Sequence, residues 1–167
     1  MATTQKDTLI TWLRDAHAME NHTIELLERQ AGRLGEYPDF QRRVREHLEE
    51  SRGQLRRIDD CLKALGSDSS SIKSGMASLM GNMQAMLNMM AGDEVVKGAM
   101  ASYALEHFEI ASYQVLKAAA EELNMAQVAR VATDNLAEEE RMQQWLLDHL
   151  PEITEQYLAR EKRESVT

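Results

Sequence analysis

Six residues in this chain have the types and spacing to hold metal ions together: Glu20, His47, Glu50, Glu106, Glu109 and Glu139. Carboxylate oxygens with one imidazole are a donor set suited to iron or manganese. Each residue falls in or beside an otherwise apolar stripe at helical spacing, about 100° per residue. The first stripe is Leu9, Leu13, Ala16, Glu20, Ile24, Leu27, Ala31 and Leu34, in which Glu20 alone is charged. The second contains Phe40, Val44, His47, Ser51, Gln54, Ile58, Leu62 and Leu65, with Glu50 at its edge one turn beyond His47. The third runs through Val95, Ala99, Ser102, Glu106, Glu109, Ile110, Tyr113 and Ala120, and the fourth through Met125, Val128, Ala132, Glu139, Leu146 and Leu150.

A lone buried carboxylate costs several kcal/mol unless it is paired, protonated or bound to a cation. Five at matching depth need a shared counter-charge, and the stripes carry no Lys or Arg near that level. Metal is the economical solution. An independent pattern supports it: Glu20 to Glu50 and Glu109 to Glu139 are both 30 residues apart, as though one helical hairpin had been duplicated. A pseudo-two-fold axis between the hairpins would gather four carboxylates, enough for two metal ions, with iron the first expectation and manganese the second. The extra donors are asymmetric in this register, because His47 aligns with Leu136 and Glu106 with His17.

Other candidates read as structural. His17 lies about 60° and His107 about 100° from the centre of its stripe, positions typical of boundary histidines. Glu138 and Glu140 point away on either side of Glu139. Tyr113 reads as a core tyrosine and Cys61 as a small core-edge residue. Arg42, Arg43, Arg45, Arg52, Arg56 and Arg57 are interleaved with Glu46, Glu49, Glu50, Asp59 and Asp60, a pattern expected of a solvated, ion-paired helix face.

The elements that must position the six residues are helices. The chain has 167 residues, 43% of them hydrophobic and 28% charged, with only 2 prolines, which suits a single all-α domain. The expected helices span about 5–30, 38–65, 93–123 and 125–150, with Pro38 or Asp39 in the first turn of the second and Asp93 capping the third. Pro151 is expected to end the fourth, and a short C-terminal helix to follow over about 152–161. The crossover, 67–92, carries Met76, Met80, Met83, Met86, Met89 and Met90 at helical spacings. It reads as an amphipathic connector helix packed on the bundle or on a second subunit, in preference to a sulfur-ligand copper site. Two antiparallel hairpins joined by one long helical crossover form a ferritin-like four-helix bundle.

The formal net charge of −9 disfavours nucleic acid and anionic membranes as partners. One cysteine excludes an internal disulfide and fits a reducing compartment. With no signal peptide pattern and no apolar run of spanning length, the expected location is the cytoplasm.

The segments Trp12-Leu13-Arg14-Asp15-Ala16-His17-Ala18-Met19-Glu20, Glu46-His47-Leu48-Glu49-Glu50, Phe108-Glu109-Ile110-Ala111-Ser112-Tyr113 and Leu136-Ala137-Glu138-Glu139-Glu140 resemble the YciE/YciF group of bacterial ferritin-like proteins, the YciE branch above all. The resemblance spans nearly the whole chain. It implies a di-metal bundle linked to bacterial stress responses, and a homodimer. The chain departs from the wider ferritin-like pattern in lacking Glu-x-x-His: Glu50 is followed at that spacing by Gly53 and Glu139 by Met142. The leading functional expectation is therefore a di-iron or di-manganese protein reacting with dioxygen or peroxide, as an oxidase or peroxide scavenger. The alternative is a non-catalytic helical dimer or interaction module with a structural or vestigial metal site. A storage cage is a third option with no sequence feature behind it.

Overall fold

The structure is a computed structural model that describes residues 4–68 and 95–166. Four helices account for nearly all of them, with no strand among the described residues: α1, Gln5–Arg33; α2, Pro38–Ala64; α3, Val95–Glu122; and α4, Ala126–Glu164. The Met-rich crossover and the Asp93 cap lie outside the described residues.

Local sequence explains where the helices begin and end. Thr4 and Asp7 form a reciprocal capping box at the start of α1, satisfying two otherwise orphaned backbone donors. Pro38 opens α2, where its missing N–H costs nothing. Gly66 ends α2 in the left-handed region, φ 72°, and the chain closes with Gly66 N–H donating to the Lys63 carbonyl and Ser67 N–H to the Leu62 carbonyl. Asn124, φ 55°, ends α3 in the same manner, with Asn124 N–H on Glu121 and Met125 N–H on Ala120. Glycine and asparagine are the residues that tolerate this conformation best.

The turn between α1 and α2 and the turn between α3 and α4 are short, so each pair is an antiparallel hairpin. The hairpins meet through α1 against α3 and α2 against α4. The resulting four-helix bundle matches the ferritin-like arrangement expected from the sequence.

The fourth helix differs from expectation. It continues through Pro151 to Glu164, so there is no separate C-terminal helix. Proline in a helix interior removes one hydrogen bond and crowds the preceding turn. Here Pro151 is exposed, and packing beyond it offsets that cost. Ile153, 3% exposed, joins Leu34, Tyr37 and Phe40 in the core, and the Arg160 guanidinium sits 5.8 Å from the centre of the Tyr37 ring.

The core has two apolar ends. One contains Leu9, Leu13, Ile58, Leu62, Leu116 and Ala132. The other contains Leu27, Ala31, Val44, Ala99, Met142 and Leu146. Between them in sequence, on every helix, lie the buried polar residues other than Arg43: Glu20 and Thr23 on α1, His47, Ser51 and Gln54 on α2, Glu106 and Glu109 on α3, Asn135 and Glu139 on α4. The bundle is an apolar core interrupted by one polar layer.

Candidate metal centre

The polar layer contains four carboxylates and one imidazole. Glu20, His47, Glu109 and Glu139 are fully buried and Glu106 is 1% exposed. Donor atoms of His47, Glu106, Glu109 and Glu139 all lie within 4.8 Å of one another. His47 Nε2 is 3.3 Å from Glu106 Oε2 and 3.4 Å from Glu139 Oε2. Glu20 adjoins this group and feels the charges of Glu139, His47 and Glu106.

Three of the carboxylates are held in one way. Tyr113 donates its hydroxyl proton to Glu20 Oε1, Thr23 donates to Glu109 Oε1, and Gln54 Nε2 donates to Glu139 Oε1. In each case the second oxygen has no hydrogen-bond partner, and neither oxygen of Glu106 nor Nε2 of His47 has one. Buried polar atoms without partners are rare in folded proteins and need an explanation. Three of these six atoms, His47 Nε2, Glu106 Oε2 and Glu139 Oε2, face one another only as an ion pair at 3.3–3.4 Å; with Glu20 Oε2, Glu109 Oε2 and Glu106 Oε1 wholly unpartnered beside them, the layer fits a bound cation.

The electrostatics point the same way. Burial, then the charge of Glu139, hold the Glu20 carboxyl well above the ordinary range, against the Tyr113 hydrogen bond and His47, which lower it. Burial does the same to Glu109, reinforced by Glu139, Glu20 and Glu106. Glu106 is pushed up to about 8 by burial, with His47 opposing and Glu139 adding. Burial acts upward on Glu139 too, but the charge of His47 and the donors around it bring that carboxyl down to about 2. Burial works against the His47 imidazolium, yet Glu106 and Glu139 outweigh it and hold its pKa well above the ordinary value. One carboxylate therefore balances one imidazolium, and protons neutralise the remaining acids. Metal cations would replace those protons.

Of the six residues singled out in the sequence, the structure brings five into this layer. Glu50 stands apart. Its side chain is 24% exposed and lies on the far side of the His47 ring, accepting from His47 Nδ1 at 2.9 Å. The thirty-residue repeat is thus uneven: Glu20, Glu109 and Glu139 turn inward and Glu50 does not.

Several side chains differ from their sequence reading. Arg43, expected on a solvated face, is 8% exposed and donates to Glu50 Oε2 from both Nη1 and Nη2 at 3.3 Å. Arg57 reaches inward to Asn135 Oδ1 at 2.7 Å and pairs with Glu138, which occupies that carboxylate outside the cluster. Tyr113 is in the core, as expected, but also binds Glu20. His17 bonds Asp59 at 3.1 Å and stands outside the cluster. Thr23 and Asn135 escaped the sequence reading. The usable signal for Thr23 was its place one turn after Glu20, where a hydroxyl can meet the facing helix.

No described helix is long and apolar enough to cross a membrane. Residues 4–159 match the family described as a domain of unknown function, DUF892. Among solved structures, a protein from Xanthomonas campestris pv. campestris is 33% identical, with 95% of this chain and 99% of that one covered and a TM-score of 0.79. The E. coli stress protein YciF is 25% identical, with 92% and 99% covered and a TM-score of 0.79. A dodecameric thioferritin from Bacteroides fragilis shares the fold at 20% identity, with 97% and 92% covered and a TM-score of 0.73.

Proposed function

The chain belongs to the DUF892 family, a YciE/YciF-like group of ferritin-like bundles, and from that membership and the site's geometry we propose that it is a di-metal carboxylate protein of the stress response. The ions would be iron first, manganese second. Glu20, His47, Glu106, Glu109 and Glu139 would hold them. The observation that carries this reading is the set of half-satisfied carboxylates, each anchored through one oxygen and open at the other.

Bound iron or manganese would supply electron transfer to dioxygen or peroxide, in the sense of an oxidase or peroxide scavenger. The protein's own contribution is positional. Tyr113, Thr23 and Gln54 orient the carboxylates, and the two apolar clusters on either side keep bulk water from the layer. His47, held between Glu106 and Glu139, releases its Nε2 proton when that nitrogen becomes a ligand. The stress assignment draws on the E. coli relative, which is a stress protein by description. A homodimer is the assembly that the family resemblance suggests, and sedimentation tests it.

Protein purified from cells grown with iron and manganese is expected to carry about two metal ions per chain. Glu20→Ala and Glu139→Ala are expected to lose them, and peroxide consumption by the loaded protein to vanish in both. Metal-free wild-type protein from replete medium refutes the reading. Loaded protein that consumes no oxidant leaves a structural metal site and refutes only the reaction.

A further inference from the structure

We propose that Glu50 is a positioning residue that orients His47 for ligation, and is not itself a metal ligand. The inference rests on the metal-site reading above and assigns this carboxylate a different task within it.

The geometry separates Glu50 from the cluster. The cluster carboxylates Glu106 and Glu139 approach His47 at Nε2. Glu50 approaches the same ring at Nδ1, 2.9 Å away. The two ring nitrogens point in different directions, so the carboxylate on Nδ1 stands behind the ring as viewed from the cluster. Glu50 is also held where it is. Its Oε2 accepts from both terminal nitrogens of buried Arg43 as well as from His47, and its Oε1 lies 3.5 Å from Arg141 Nη2. Swinging inward would break all of these contacts and leave the buried Arg43 guanidinium with only a 3.9 Å contact to Glu46. None of the fully buried carboxylates has an arginine partner.

Metal-bound histidines commonly donate their other ring N–H to a carboxylate, which fixes the ring orientation and raises the basicity of the ligating nitrogen. A proton held at Nδ1 by Glu50 leaves Nε2 as the nitrogen that can bind a cation. Arg43, donating to Glu50 Oε2 from both terminal nitrogens, and Arg141 beside Oε1 in turn hold the Glu50 carboxylate in place against the ring. The motif His47-x-x-Glu50 therefore works as a ligand with its support one helical turn away, in place of two ligands on one helix.

The test compares Glu50→Ala with Glu50→Gln. A glutamine oxygen still accepts from Nδ1, but the neutral amide is a poor metal ligand. Because Glu50 is half-exposed, both variants are expected to fold, with circular dichroism as the check. Manganese(II) is titrated into metal-free protein and followed by the EPR signal of the free ion. A positioning role predicts that Glu50→Ala weakens manganese binding by about 10–100-fold, that Glu50→Gln stays close to wild type, and that the number of ions bound is the same in all three. Loss of a manganese equivalent in both Glu50→Gln and Glu50→Ala makes Glu50 a ligand and overturns the proposal. The second readout needs no metal: the exchange-protected Nδ1 proton of His47 should appear downfield in the proton NMR spectrum of metal-free wild type and Glu50→Gln, and disappear in Glu50→Ala. Its absence from the wild type also overturns the proposal. If that proton behaves as expected and no variant, nor the wild type, takes up manganese, the orienting contact stands and the metal reading fails.

Discussion

Glu106→Gln should stabilise the metal-free protein, and by an amount that grows with pH. The folded protein holds the Glu106 proton up to about 8, against an ordinary value of 4.5. A carboxyl raised in this way binds its proton more tightly folded than unfolded. Its contribution is complete below 4.5 and is lost as pH rises through about 8. At roughly 1.4 kcal/mol for each pH step, the whole window is worth on the order of 5 kcal/mol. Glu139, brought down to about 2, titrates below this window and leaves the slope unchanged. Glutamine has the shape of the protonated acid and cannot ionise, so it escapes the loss. The variant should match wild type near pH 4.5 and exceed it at pH 8. For a chain of this size, with about 2–4 °C of melting temperature per kcal/mol, the gain at pH 8 is about 10–20 °C. Thermal melts by circular dichroism at pH 5, 6.5 and 8 in the presence of chelator measure it. Saturating metal should close most of that gap, because ligand at about 1,000 times its Kd adds roughly 4 kcal/mol to the protein that binds it. A difference that is the same at all three pH values, or a variant less stable than wild type at pH 8, refutes the argument that a buried, proton-dependent Glu106 opposes folding.

Two further outcomes follow from the same structure. His47→Ala removes the imidazolium that Glu106 and Glu139 face, and should destabilise the metal-free protein by roughly 3–5 kcal/mol at pH 7, with the loss shrinking in acid because the variant's Glu139, no longer lowered by His47, takes up a proton; urea unfolding at pH 7 and pH 4 checks both the size and the trend. Pro151→Ala restores the missing backbone hydrogen bond in α4 and should stabilise the protein by about 1–3 kcal/mol, less the entropy advantage proline gives the native state; an unchanged denaturation midpoint would mean that the helix already accommodates the ring without cost.

Periodicity was enough to find the bundle and most of the polar layer, because burial is a property of a helix face and a face can be read from spacing. Glu20 and Glu139 are each the one charged residue in their stripe, and Glu106 and Glu109 share the third stripe with no basic residue beside them, so no other charged side chain competes for the interior. Pro151 shows the limit for the elements: a proline predicts a helix end from local cost, but Ile153 and Arg160 supply long-range contacts with the first hairpin that a local reading does not contain. Glu50 shows the limit for the site. On α2 His47 lies in the stripe and Glu50 at its edge a single turn on, and spacing does not say whether the edge carboxylate turns inward as well. The equivalent place on α4 holds Leu136, which packs into the apolar core and leaves the interior to Glu139. On α2 the imidazole takes the interior, and Arg43, one turn before His47, draws the carboxylate outward. The duplicated spacing thus marks where carboxylates lie along the helices, while the unduplicated residues beside them, His47 against Leu136 and Arg43 against Ala132, decide which of those carboxylates faces the site.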